Sequence, residues 1–325
     1  MGSHLPRSYA ACLVAFGALW LGAVLAPVFA QSTEVQIPVW APAQGPLCAA
    51  ALHLRAAGDA ELQLVRLQPP TSPTIVFVVL DLSSSVDGAA KVRDGLRQVL
   101  AVLPPQTWVG LLAVNGGLRV LQNPTRDRVL LRRDLAAITP SGYPGLLDSV
   151  EAVESIADQA QRGGRLKVAI VAITDSDVSR YRSDYADQQV NNSDLHDLSR
   201  RFPGRDLQSK VQRMDRRLLQ FRVPLFVIQI EQRGDLLNRI YDNALQRFSA
   251  TLGGSAWFVQ SRAEIPADIG AAFRRVSRFY LATVRTPAPG DDVELTLSFN
   301  GADLPAGDYR QHLLTTDLDR AHRAH

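Results

Sequence analysis

The sequence predicts an α/β protein built on a doubly wound, mostly parallel six-stranded sheet with one antiparallel strand, plus a small β appendage from the flanking segments. Three observations lead there. Strand-like and helix-like patterns alternate from residue 72 to 278. Three runs, Ile75–Asp81, Val168–Asp175 and Pro224–Ile230, are almost continuously apolar, as strands buried on both faces must be. Between two shorter runs, Trp108–Val114 and Leu118–Leu121, stands Asn115-Gly116-Gly117, a hairpin signal that makes that pair antiparallel.

Taken in order, residues 1–30 read as a secretory signal. Arg7 precedes a long apolar run from Ala10 to Ala30, which ends Val28-Phe29-Ala30 and then turns polar at Gln31-Ser32-Thr33. The alternative is an uncleaved membrane anchor, because the run is about long enough to span a bilayer. The expected location is therefore secreted or periplasmic, with a membrane involved only if the segment is retained. Residues 31–71 carry short, partly alternating apolar stretches and form an N-terminal β segment that ends at Pro69-Pro70. Residues 72–278 form the main domain, with a last strand at Ala256–Val259. Its helices fall at Gly88–Leu103, Arg126–Ile138, Leu146–Ala160, Leu207–Phe221, Leu236–Leu252 and Ala267–Arg278. Gly253-Gly254 stops the fifth. Residues 279–316 form a C-terminal β segment with strands at Phe279–Arg285 and Val293–Phe299, and 317–325 read as a frayed tail.

Composition excludes several classes. With 46% hydrophobic and 21% charged residues the chain folds as an ordinary globular protein. A formal net charge of +3 gives no footprint for nucleic acid. The two cysteines, Cys12 and Cys48, fall on either side of the signal boundary, so no disulfide framework holds the fold. Oligomeric state leaves no mark on the sequence.

The first apolar strand runs into Asp81-Leu82-Ser83-Ser84-Ser85, which presents one carboxylate and two hydroxyls at a strand end. In open parallel sheets, ligands sit outside the carboxyl ends of strands. A second strand ends Thr174-Asp175-Ser176-Asp177 and brings more carboxylates to the same edge. An all-oxygen set of this kind suits Mg2+, which takes an octahedron of oxygens at about 2.0–2.1 Å and keeps some water; Mn2+ and Ca2+ are the alternatives.

In these two elements the chain resembles the von Willebrand factor A domain family, over roughly residues 72–278, and its β flanks resemble those of secreted bacterial members. The resemblance implies a Rossmann-like sheet and a metal-ion-dependent adhesion site with Asp81, Ser83, Ser85 and Asp175 as ligands, directly or through water. It also implies a protein partner whose acidic side chain completes the metal's coordination. One position departs from the family pattern. In Gly142-Tyr143-Pro144-Gly145-Leu146-Leu147-Asp148, Pro144 stands where the family has a ligating Thr, and Thr139 or Ser141 are the nearby substitutes.

The remaining motifs are weaker. Arg233-Gly234-Asp235 matches an adhesion tripeptide, but Asp235 stands where the next helix needs an N-cap. The insertion 176–217 is rich in arginine (Arg180, Arg182, Arg200, Arg201, Arg205, Arg213, Arg216, Arg217) and reads as a solvated helical face, or as a basic rim toward an acidic partner. An enzyme is not expected. No Gly-x-Ser-x-Gly elbow or phosphate loop is present, Ser83 replaces the second carboxylate of an Asp-x-Asp phosphotransferase, and His53, His196 and His312 lack metal-ligand spacing. Against the metal-dependent binding module stand a metal-independent scaffold for an extracytoplasmic complex and a hydrolase with an unrecognised site.

Overall fold

The computed structural model describes residues 33–42, 45–56, 60–83, 86–163, 166–178, 203–286 and 292–314. The expected signal at 1–30, the tail at 317–325 and much of the insertion 176–217 lie outside them. Among the described residues, no helix is long and apolar enough to cross a membrane.

The chain opens with β1 (Thr33–Trp40), β2 (Leu52–Ala56) and β3 (Ala60–Gln68). It continues through β4 (Thr74–Asp81), α1 (Val86–Val102), β5 (Thr107–Ala113), β6 (Arg119–Thr125), α2 (Arg128–Ala136), α3 (Leu146–Gly163) and β7 (Lys167–Thr174). Then come α4 (Pro203–Leu218), β8 (Leu225–Gln229), α5 (Leu236–Thr251), β9 (Ser255–Phe258) and α6 (Ile265–Val276). The C-terminal strands are β10 (Phe279–Thr286), β11 (Asp292–Phe299), β12 (Ala302–Asp303) and β13 (His312–Leu314).

Six strands form one sheet in the order β6-β5-β4-β7-β8-β9. All neighbours pair in parallel except β5 and β6. Strand side chains alternate between faces, which explains why β4 is apolar throughout. Val76, Val78 and Leu80 pack with α1, α2 and α6, while Phe77 and Val79 pack with α3, α4 and α5. Both faces are covered, as expected. The hairpin is also as read, with Gly116 and Gly117 at φ 72° and 114°, a backbone that side chains disfavour.

Two features differ from expectation. β6 continues to Thr125, beyond the apolar run Leu118–Leu121, with Val109 opposite Thr125. As an edge strand it buries little, so hydrophobic patterning does not mark its end. The flanking β segment is not small: its seven strands run β1-β10-β3-β2-β11-β12, with β13 also on β11, and outnumber those of the main sheet. β1 and β3 pair with β10, and β2 with β11, across more than two hundred residues of chain. No local pattern reports such pairing. Val35, Ile37, Leu54, Leu62, Val284 and Leu297 fill its core.

The two sheets meet at a buried lysine. Lys167, at the start of β7, donates to the carbonyls of Pro70 and Phe279, both at 3.0 Å, and lies 4.5 Å over the Phe279 ring. Trp40 of β1 donates to the Arg275 carbonyl at 2.9 Å beside it. Burial lowers the Lys167 pKa from 10.5 to about 8. Between those pH values the unfolded chain holds the proton and the native one sheds it, so stability rises with pH across that window. Lys167→Met removes that rise. At pH 7 it strands two buried carbonyls at a cost of about 2 kcal/mol, a difference that urea unfolding at several pH values will show.

Candidate functional site

The end of β4 puts Asp81 at the centre of the sheet's carboxyl edge, and β7 beside it carries Thr174, with Asp81 opposite Thr174 in register. Asp81 is fully buried and faces inward. Its Oδ1 accepts from the Gly145 amide at 2.9 Å. Its Oδ2 accepts from the Leu146 amide at 3.3 Å, from Thr174 Oγ1 at 2.8 Å and from the Ser176 hydroxyl. Gly145 and Leu146 stand at the start of α3, where free amides and the helix dipole favour a carboxylate. Burial nevertheless raises the Asp81 pKa, and the Ser176, Gly145 and Thr174 bonds offset only part of that rise. Behind it lies the buried Tyr241 of α5, whose phenol pKa is raised by burial first and by the Asp81 charge.

Ser83 and Asp175 meet on the outer side of this clasp. Asp175 Oδ1 accepts from the Ser83 amide at 2.8 Å and from its hydroxyl at 3.0 Å. Ser83 is half-buried, while Asp175 is as fully buried as Asp81. Ser85 lies outside the described residues. Thus Asp81, Ser83 and Asp175 converge on one edge, with Asp81 bound to α3 and β7 and the other two bound to each other. Among the described residues no cluster of three or more His, Cys, Asp or Glu is arranged to hold a metal.

The Pro144 loop is anchored on the neighbouring hairpin. The Gly116 amide donates to the Tyr143 carbonyl at 3.1 Å, and the Ser141 amide to the Leu82 carbonyl at 3.1 Å. Asn115 Nδ2 reaches the Ser141 carbonyl, and its hydroxyl at 3.2 Å. The Ser141 hydroxyl is therefore turned to Asn115. In the sequence Asn115 stands out only as a turn residue, and nothing in the motif itself marks Thr174 and Ser176 as partners of Asp81. Hydroxyls on both sides of Asp175 were the available signal.

Beyond Asp175, Asp177 accepts from Asn238 at 3.1 Å and pairs with Arg233 at 3.4 Å. Arg233 also reaches Glu231 at 3.2 Å, and Glu231 pairs with Arg262 at 2.7 Å. Asp235 caps α5 through the amides of Leu237 and Asn238, both at 3.0 Å. Both charged members of Arg233-Gly234-Asp235 are thus engaged within the chain. In α4, Leu207, Val211, Met214 and Leu218 are buried while Arg205, Arg213, Arg216 and Arg217 are exposed, so this part of the insertion is a solvated helical face.

A doubly wound sheet with one antiparallel edge strand and acidic ends on two adjacent central strands defines the class. Residues 76–177 match the family model for the von Willebrand factor type A domain. No curated protein matches the chain. Solved structures similar to it include proximal thread matrix protein 1 from the mussel byssus, at 11% identity and TM-score 0.43, over 65% of this chain and 50% of that one. This chain thus spans about half of that protein's length. A von Willebrand factor type A protein from Catenulispora acidiphila is similar at 11% identity and TM-score 0.40, over 84% of this chain and 76% of that one. The PilB minor pilin of Streptococcus sanguinis is similar at 14% identity and TM-score 0.45, over 64% and 62%.

Proposed function

We propose that this protein is an exported binding module, not an enzyme, and that it captures a protein partner at the carboxyl edge of its main sheet through a Mg2+-dependent contact with an acidic side chain. The observation that carries this reading is the meeting of Ser83 and Asp175 at 3.0 Å at the ends of adjacent strands, with the Asp81 carboxylate behind them. The donor set is all oxygen and fits a hard cation. Ser83, Ser85 and Asp175 would hold it, and Asp81 would contribute negative charge from its buried position. Pro144 supplies no oxygen, so the site has one neutral donor fewer than its relatives. When bound, the cation would offer an open coordination position to a carboxylate. Ser83 and Asp175 would orient the bound group, and the hydrogen bonds on Asp81 tie the ends of β4 and β7 to the start of α3.

A second reading, a scaffold that binds without metal, is favoured by the saturation of Asp81: its two oxygens accept four hydrogen bonds within the chain. Affinity capture from an extracytoplasmic protein extract separates the two. Under the metal-dependent reading the captured protein elutes in EDTA and returns with Mg2+. Capture unchanged by EDTA supports the scaffold.

A further inference from the structure

Beside the acidic edge, where β4 and β5 end and β6 begins, lies a cavity of about 300 Å³. Its floor is apolar, with Leu80 and Leu82 from β4 and the loop after it, Leu121 from β6 and Ile138 from the segment after α2. That volume lies at the lower end of ligand sites and suits one large side chain better than a cofactor. It opens next to the Thr139–Ser141 loop, and Ser141 is hydrogen-bonded to the Leu82 carbonyl one residue before Ser83. Leu121, on the edge strand, is 38% exposed at its rim.

Charge at the mouth is one-sided. Asp134, the acid on the lining, is paired with Arg133 at 2.9 Å. Arg119, also on the lining, is exposed and makes no ion pair among the described residues. Arg126 and Arg128 lie at the other end of β5, over Trp108 and on the Pro104 and Thr107 carbonyls, so Arg119 is the cation on this lining. An apolar hole with an unneutralised guanidinium at its lip complements an apolar side chain that has a carboxylate next to it.

We infer that this cavity is an anchor site for an extended acidic segment of the partner, taking one aromatic or leucyl side chain onto Leu80, Leu82, Leu121 and Ile138 and a neighbouring carboxylate onto Arg119. The inference rests on the protein-binding reading but not on its metal: the cavity wall contains none of the proposed metal ligands, so the anchor works in EDTA.

The test uses the full chain and a capped fluorescent pentapeptide with one phenylalanine followed by two aspartates, titrated by fluorescence anisotropy in EDTA. Two variants at exposed positions on the lining, Ala137→Phe to fill the mouth and Arg119→Glu to reverse its charge, leave the core untouched. The expected result is saturable binding tighter than about 1 mM, weakened about tenfold or more by each variant and by exchanging the peptide's phenylalanine for alanine. Absence of binding, or binding indifferent to the two variants or to the loss of phenylalanine, overturns the inference. A failed anchor with intact Mg2+-dependent capture refutes this site alone, whereas a working anchor with no Mg2+ effect refutes the metal.

Discussion

Asp81→Ala is expected to destabilise the fold by about 3 kcal/mol, and not merely to abolish ligand binding. The substitution removes the acceptor for the Gly145 and Leu146 amides and the Thr174 and Ser176 hydroxyls at once. Stranding buried donors costs about 1–3 kcal/mol each before relaxation, and the energy gained by no longer burying the carboxylate offsets part of the sum. Asp81→Asn keeps an oxygen for Gly145 and should cost less. The two substitutions also differ in pH dependence. Because the native Asp81 pKa is raised from 3.8 by burial, the native state holds that proton more tightly than the unfolded chain, and the stability so gained is lost as pH rises through the native value. The advantage of wild type over Asp81→Asn therefore shrinks as pH rises. Urea unfolding curves from pH 4 to 8 measure both effects, and equal stability of wild type and Asp81→Ala would show that the clasp carries no load.

Gly145→Ala should be comparably severe, at about 3 kcal/mol, for a reason that no contact list of side chains conveys. A Cβ at this position would stand 1.8 Å from the Val114 carbonyl oxygen and 2.8 Å from its carbon. That carbonyl cannot swing aside, because it accepts the Gly117 amide at 3.2 Å inside the β5–β6 hairpin. The start of α3 must instead withdraw, and it takes with it the two amides that hold Asp81. The two sites are thus one unit. A double-mutant cycle of Asp81→Ala with Gly145→Ala should show the pair costing less than the sum of the singles by about 1 kcal/mol or more. Simple additivity would mean that α3 is held at its start by other contacts.

Much of the main sheet was legible because its strands carry their pattern locally. Ile75–Asp81 and Val168–Asp175 are apolar on both faces and cannot lie anywhere but the centre of a covered sheet. Asn115-Gly116-Gly117 likewise announces its turn through backbone angles that glycine alone adopts freely. The flanking sheet was visible only as strands, because its extent depends on β1, β3 and β10 meeting from opposite ends of the chain. At the candidate site, sequence gave the positions of Asp81, Ser83 and Asp175 but not the direction in which they face. Direction follows from which donors surround a carboxylate, and two of those around Asp81 are backbone amides of Gly145 and Leu146, which no residue type identifies. Because Asp81→Ala is expected to perturb the fold, the metal question is better put to Ser83 and Asp175.

Isothermal titration of EDTA-stripped protein with Mg2+, beside Ser83→Ala and Asp175→Asn variants shown by circular dichroism to be folded, addresses the central claim directly. The account predicts a single saturable site in the wild type, weakened by Pro144 into the range of about 0.1–1 mM, and lost or reduced at least tenfold in both variants. No Mg2+ binding by the wild type, or binding unaffected by both substitutions, would contradict it.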